Sequence, residues 1–382
     1  MKRIVCVFLA VCLCIALTAC GDPTPEKITE ETVKIVLVCA GDREEETSQA
    51  AAYVEQLKTA AQMIGLKKEQ YAVCDGVPDT YENAVEKAVI SYIRDGYSIV
   101  FGAEAGYASA MKKLAAKYPR VTFVQIGDAD ETLPNYYAYQ VKAYEGAYLC
   151  GLVAGEFSKS GNLGVLTADT TSVQSHQLAN AFLLGAQVRK PNAKVFVAAL
   201  ANGGHSSPLS LLSHKDCDGV LIAVDNKEAV DFAKSGGMRV YTALGRADTD
   251  TVTYRVTLQH TNQMVNTFQN VLDKQAPYYS RMHVGYADGF LQCENGYEED
   301  NAQATILSNA AKAVFVQGKW DVFAGVKLAW DGTVQAFAET PTAVKDAEGT
   351  IRIPAGAGMP ASETLTGMDW FMQGITVIDT GA

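Results

Sequence analysis

The chain has 382 residues, 48% of them apolar, with 32 basic and 43 acidic side chains and a net charge of −11. That length is too great for one small core and suits two domains of about 150 to 180 residues. Beyond the first residues there is no basic run, so nucleic acid is not an expected partner, because phosphate contacts need clustered Lys and Arg.

The first segment reads as a targeting signal. Met1-Lys2-Arg3 is basic, and residues 4–16 carry no charge. Such a run falls short of the roughly 20 residues that span a bilayer, but it has the length of a signal-peptide core. Leu17-Thr18-Ala19-Cys20 then has the form of a lipobox: a branched apolar residue, two small residues and a thiol that can carry lipid. The expectation is a signal peptide over 1–19, lipid on Cys20 and a polar tether over 20–32. The competing reading is an ordinary signal peptide with a chance cysteine. Five later cysteines, Cys39, Cys74, Cys150, Cys217 and Cys293, are odd in number and widely spaced. They form neither a disulfide framework nor a zinc pattern.

From residue 33 onward, strand-like and helix-like segments alternate. Residues 33–40 predict a strand, 47–64 a helix and 71–75 a strand. Residues 79–94 predict a helix capped by Asp79, with Glu82 three positions on. Its stripe is Val85, Ala88, Val89, Tyr92 and Ile93, and Gly96 stops it. A strand at 97–101, a helix at 108–117 before Pro119, and a strand at 121–126 continue the βαβ pattern. After 136–141 come a helix at 145–158, a strand at 163–168 and a helix at 173–188. Further strands are predicted at 193–200, 220–224 and 239–244. The stretch 319–382 differs: Asp331-Gly332 between apolar runs signals a hairpin, and loop-rich sequence follows.

The fold expected is α/β, with two doubly wound parallel-sheet lobes in series. Lobe 1 takes 33–141 and 256–284, and lobe 2 takes 142–255 and 285–382 with a C-terminal tail. The crossings between lobes are expected near 141–145, 254–260 and 282–287, as a three-stranded hinge. Ligands bind at the carboxyl ends of parallel strands, and two such sheets can close on a small molecule by hinge motion.

Several stretches resemble one known family. Residues 96–119, GYSIVFGAEAGYASAMKKLAAKYP, are similar to the strand-loop-helix of the basic membrane protein family, and 121–127 continue the match. The strongest stretch is KAYEGAYLCGLVAGEFSKS at 142–160 followed by GNLGV, with QLANAFLLGA at 177–186 next. Near the end, Arg352-Ile353-Pro354-Ala355-Gly356 and residues 368–374 resemble a tail of one branch. The resemblance implies a type I periplasmic-binding-protein fold. It also implies a substrate-binding lipoprotein of an ABC importer, with a purine nucleoside or base as ligand. Its partners would be that solute, a permease and ATPase complex, and the membrane through the N-terminal lipid. The expected state is a monomer on the extracytoplasmic face of the cell membrane, with no cofactor. The family's first loop usually carries Asp-Asp and then Ser-Phe-Asn; here residues 40–49 lack the aromatic and the Asn. A Gly-Gly-Thr-Gly-like loop is replaced by Ala223-Val224-Asp225-Asn226. The family's frequent lysine after the second crossing falls near His260.

Strand ends give the candidate ligand contacts: Asp42, Glu104, Tyr107, Asp128, Asp169, Asn226 and Asp288. Carboxylates can accept hydrogen bonds from the vicinal hydroxyls of a ribose, and Tyr107 could stack on a base. The same acids also serve as helix caps, and Tyr107 could equally pack in a core. Trp370 reads as packing that seats the tail. His176, His205, His214, His260 and His283 have no metal spacing, and no Gly-x-Ser-x-Gly elbow occurs, so no enzyme and no metal are expected. Two other readings stay open: a surface sensor or interaction protein with a changed or lost ligand site, and a sugar or amino-acid receptor.

Overall fold

The computed structural model describes residues 27–44, 49–127, 133–200, 204, 206–224, 226–244, 252–274, 281–296 and 301–378. Residues 1–26, which include the expected signal segment and Cys20, lie outside the described residues, as do Asp128, His205 and Asp225. In chain order the first elements are β1 (Ile35–Val38), α1 (Gln49–Met63), β2 (Tyr71–Cys74), α2 (Glu82–Arg94), β3 (Ile99–Gly102), α3 (Ala108–Lys117), β4 (Thr122–Ile126) and β5 (Tyr136–Val141). Then come α4 (Ala143–Phe157), β6 (Asn162–Thr167), α5 (Val173–Gln187), β7 (Lys194–Ala199), α6 (Ser206–Ser213), β8 (Gly219–Ile222), α7 (Lys227–Ser235), β9 (Arg239–Thr242) and β10 (Tyr254–Leu258). The rest are α8 (Thr261–Leu272), β11 (Arg281–Val284), β12 (Leu291–Asn295), α9 (Ala302–Gln317), β13 (Val326–Asp331), β14 (Ala336–Pro341), β15 (Val344–Lys345), β16 (Ile351–Ile353), α10 (Ser362–Thr366) and β17 (Ile375–Val377).

The chain divides into two compact units. The first holds residues up to Ala40, Leu57–Tyr139 and Gln263–Met282; the second holds Gly41–Gln56, Gln140–Asn262 and His283 onward. One sheet has the order β11-β5-β4-β3-β1-β2, and β1 to β5 pair in parallel. The other has the order β12-β10-β9-β8-β6-β7-β17, parallel except for the antiparallel β10–β12 edge. The expected α/β architecture with two parallel sheets is therefore present.

The reason lies in the strand sequences. All four residues of β1, Ile-Val-Leu-Val, are fully buried, as are those of β3. A strand buried on both faces carries a continuous apolar run, which marks a parallel sheet covered by helices on both sides. Each such side chain contributes about 1.5–3 kcal/mol by leaving water. Helix α2 buries Val85, Val89 and Ile93 at the expected spacing, and Gly96 ends the turn at φ +84°. The start of α2 differs from expectation. The helix begins at Glu82 with Tyr81 as its first cap, and Tyr81 makes no side-chain cap bond. Asp79 sits in the preceding turn instead, packed against the backbone of Gly106.

In the second unit α4 and α5 form the heart of the core. Thirteen of the fifteen residues of α4 are buried, and twelve of the fifteen of α5. Residues 41–56 group here because Gln56 Nε2 donates to Leu258 O at 2.8 Å and the His260 N–H donates to Gln56 Oε1 at 2.6 Å. The hairpin signalled by Asp331-Gly332 is β13–β14, paired Val326 to Pro341 through Asp331 to Ala336. Asp331 Oδ1 accepts from Thr333 N at 2.8 Å and shapes its loop. The tail is more ordered than its sequence implied, because β17 adds to the sheet as a parallel edge on β7.

Candidate functional site

Parallel strands place their following loops at one edge, so the candidate residues fall into groups set by topology. In the first unit, β1, β3 and β4 end side by side. Glu104 follows β3, half-buried, and its Oε1 accepts from the Ala40 N–H at 3.2 Å just past β1. Burial raises the Glu104 pKa; the Ala40 N–H pulls it back, and the nearby Asp79 raises it again. Gln125 on β4 braces the same loop, its amide donating to Glu104 O and Ile126 O at 2.7 Å each.

Tyr107 comes three residues after Glu104 but turns inward. It is 0% exposed, and its hydroxyl donates to Val77 O at 2.5 Å. Its ring belongs to the same core cluster as Met111, Val85 and Val100. Burial, then the nearby carboxylate of Glu104, drives its pKa far above the usual tyrosine value. Of the two sequence alternatives, core packing is where the structure places it.

In the second unit β6 and β8 are neighbours, with Leu166 opposite Ile222, so Asp169 and Asn226 emerge at the same edge. Both side chains are engaged by backbone. Asp169 Oδ1 accepts from Ser172 N at 2.5 Å and Thr171 N at 2.7 Å. Burial works against its charge, but the hydrogen bonds from Ser172 and Thr171 outweigh it and hold the carboxyl below its ordinary pKa. Ser172 then caps α5 through a bond from Ser175 N. Asn226 caps α7, its Oδ1 accepting from Ala229 N at 2.7 Å. Asp42 is exposed, and its carboxylate accepts from Glu44 N at 2.8 Å. Asp288 closes the turn between β11 and β12, accepting from Gly285 N at 2.8 Å.

A group that sequence reasoning passed over lies at the start of α4. Lys142 Nζ is 3.0 Å from Asp321 Oδ2 and 3.8 Å from Glu145 Oε1. Tyr144 OH donates to Asp321 Oδ2 at 2.8 Å, and Phe323 N to Asp321 Oδ1 at 3.0 Å. Glu145 Oε2 accepts from Tyr286 N at 2.7 Å over the bare backbone of Gly285. Burial pushes the Glu145 carboxyl up to about 7. The Tyr286 N–H and Lys142 restrain that rise, while Asp321 and Asp288 add to it. The available signal was Lys-Ala-Tyr-Glu at the head of an otherwise apolar helix. Among the described residues no cluster of His, Cys, Asp and Glu could hold a metal ion. Nor is any helix there long and apolar enough to cross a membrane.

Residues 32–204 match the model of the Bmp family, described as ABC transporter substrate-binding protein, PnrA-like. Over that span, just under half of the chain, it is similar to the Bmp family. The sequence resemblance thus holds, and its strongest stretch, 142–165, lies inside the match together with 177–186. A purine-binding protein of Brucella abortus (strain 2308) is 25% identical over 297 residues, covering 76% of this chain and 79% of that protein. A transcriptional activator of the comK gene from Bacillus halodurans superposes with a TM-score of 0.61 at 17% identity, over 74% of this chain and 98% of that one. An ABC transporter solute-binding protein from Aeropyrum pernix K1 gives 0.60 at 13% identity, over 79% and 95%. Another from Conexibacter woesei DSM 14684 gives 0.57 at 15%, over 74% and 97%. These structures share the type I fold. Bmp proteins are ABC substrate-binding proteins: they act outside the cytoplasm and present a small molecule to a permease and ATPase complex.

Proposed function

We propose that this protein is a Bmp-family, lipid-anchored receptor that captures a purine nucleoside or nucleobase for an ABC permease. The observation that carries the reading is the family match, joined to a purine-binding relative over three quarters of the chain. The ligand is taken at the carboxyl ends of the parallel strands. Glu104 and Asp42 supply acceptors for sugar hydroxyls; Asp128 and Asp288 are further acceptors. Asp169 and Asn226 hold the loops ahead of α5 and α7, which sets the shape of that edge. Cys20 carries the lipid and keeps the receptor near its permease, where local concentration aids delivery.

Thermal shift and calorimetry with nucleosides, nucleobases, sugars and amino acids test this. A purine at 100 times its Kd should stabilise the fold by about 2.7 kcal/mol. A response to sugars or amino acids alone overturns the purine assignment. Metabolic labelling with palmitate tests the anchor: a Cys20→Ser precursor that still takes up label sinks it.

A second reading, a sensor or interaction protein, is favoured by one feature. The loop 40–49 carries Asp42-Arg43-Glu44-Glu45-Glu46 where the family has an aromatic and an Asn. Silence toward every solute in the panel would support that reading over transport.

A further inference from the structure

A cavity of about 360 Å³ opens inside the second unit, in the space between the end of α5 and the β13–β14 hairpin. Gln187, Val188 and Pro191 line it on one side, where the chain leaves α5 to begin β7. A helix that starts at the carboxyl end of β6 and returns to the start of β7 ends at the amino edge of the sheet. The cavity therefore lies at the edge opposite Asp169 and Asn226, away from the strand ends already described.

Its walls combine two kinds of chemistry. Tyr148, Trp320 and Trp330 supply aromatic surface, and Val326 and Leu328 aliphatic surface. Tyr148 and Trp320 rings stand 5.4 Å apart, and Trp330 is fixed edge-on against Phe337 at 5.1 Å. Trp320 is further locked by its indole N–H, which donates to Val326 O at 2.8 Å. Against this apolar frame stands Lys327. Its Nζ donates to Gln187 Oε1 at 3.2 Å, and it has no carboxylate partner among the described residues. Burial alone lowers its pKa, with no neighbouring acid to restore it. A partly buried ammonium without a counter-charge is costly and is met by an anion when one is available. The Tyr148 hydroxyl is a second unmet group: the residue is 2% exposed, and the hydroxyl has no hydrogen-bond partner among the described residues.

We propose that this cavity binds a small aromatic carboxylate, with its carboxylate on Lys327 and its ring among Trp320, Trp330 and Tyr148. The volume is at the lower end of small-molecule pockets, roughly 300–1,000 Å³, and suits one or two fused rings. A flat ring matches aromatic walls in offset or edge contact. The Tyr148 hydroxyl offers a donor to the same ligand. Because an anion on Lys327 favours its charged form, binding draws a proton onto the protein when the pH is near the lowered lysine pKa.

Calorimetry on the full chain with indole-3-acetate and its neutral isostere indole-3-acetamide tests the assignment. The acid should bind, and Lys327→Gln should weaken it at least tenfold while leaving the amide within twofold of wild type. Ala329→Trp, on an exposed hairpin position that lines the cavity, should abolish binding of both without loss of thermal midpoint. It keeps the test sharp if Lys327→Gln fails to fold. No heat with millimolar indole-3-acetate overturns the proposal, as does equal loss of acid and amide in Lys327→Gln. Competition by adenosine also overturns it, because the probe would then occupy the solute site. Failure of purine binding leaves this result untouched.

Discussion

Lys142 and Asp321, 179 positions apart, meet at 3.0 Å inside the second unit, with the Asp321 side chain fully buried. The pair joins the start of α4 to the segment between α9 and β13. Asp321 also accepts from Tyr144 OH and Phe323 N, so three donors converge on one carboxylate. Removing one partner of a buried pair leaves a charge uncompensated, at about 3–5 kcal/mol. Asp321→Ala should lose about that much stability in urea denaturation, with Lys142 left only the more distant Glu145 at 3.8 Å. Lys142→Met with Asp321→Leu should recover most of the loss, since an apolar replacement of both partners is close to neutral. A double variant as unstable as the single one would mean that Tyr144 and Phe323, rather than the ion pair, need the carboxylate.

Glu145 and His260 make opposite contributions to pH dependence. The Glu145 carboxyl is raised to about 7, so the folded state holds its proton where the unfolded chain has released it. Its contribution therefore falls as pH rises from the unfolded value near 4.5 to 7, and is flat above. His260 is 0% exposed, and burial lowers its pKa to about 3. The unfolded chain then binds the extra proton between about 3 and 6.5, so this contribution rises with pH. Each is worth about 1.36 kcal/mol per pH unit, and between pH 4.5 and 6.5 they cancel. Glu145→Gln should remove one term only. The stability difference between Glu145→Gln and wild type should then grow in favour of the variant by about 3 kcal/mol from pH 4.5 to 7. Denaturant midpoints across that range check it; a pH-independent difference would place the Glu145 proton elsewhere.

The sheets were legible because buried parallel strands read as unbroken apolar runs: 33–40 contains β1, and 97–101 and 163–168 overlap β3 and β6, each missing one end residue. Helix ends were less so. Asp79 met the residue rule for a cap, yet α2 begins three residues later, because the intervening turn packs Asp79 on Gly106. Strand-end acids were found from sequence, but not how they are engaged. Asp169 and Asn226 bind backbone N–H groups two or three residues on, a local use that Asp and Asn favour and that sequence cannot separate from ligand binding. Tyr107 shows the same limit in an apolar setting: its inward rotamer is decided by the Val77 carbonyl, thirty residues away. The Lys142–Asp321 pair and the Lys327 cavity depend on contacts across well over a hundred positions, which no local pattern reports.

Asn180 decides whether the tail stays seated. It is 0% exposed on α5, donates to Trp370 O at 3.0 Å and accepts from Met372 N at 2.8 Å. Trp370 is 8% exposed and lies in the core cluster, so the tail packs as the sequence led us to expect. Asn180→Ala strands a buried carbonyl and a buried N–H, each costing about 1–3 kcal/mol. The expected loss is about 2–6 kcal/mol, with faster proteolysis confined to residues beyond 366. Loss of stability with an unchanged cleavage pattern would show that Asn180 supports α5 and not the tail.

Gly151 and Gly185 set how closely α4 and α5 approach. A methyl group on Gly151 would lie 2.1 Å from Phe182 O, and one on Gly185 would lie 2.1 Å from Tyr148 O. Both neighbours are backbone, so no side-chain rotation can relieve the clash and the helices must separate. Two effects compete in Gly185→Ala. Helix propensity favours alanine by about 1 kcal/mol, while forced overpacking of a dense core costs about 1–3 kcal/mol and occasionally more. At 2.1 Å the steric cost should win, so Gly185→Ala should be destabilised by at least about 2 kcal/mol in equilibrium unfolding. Adding Gly151→Ala should cost less than the sum of the singles, because one separation of the helices relieves both clashes. Gly151, in the strongest family-like stretch, and Gly185, in the one that follows, thus have a packing reason. A neutral or stabilised Gly185→Ala would mean that the two helices are not held at this distance in solution.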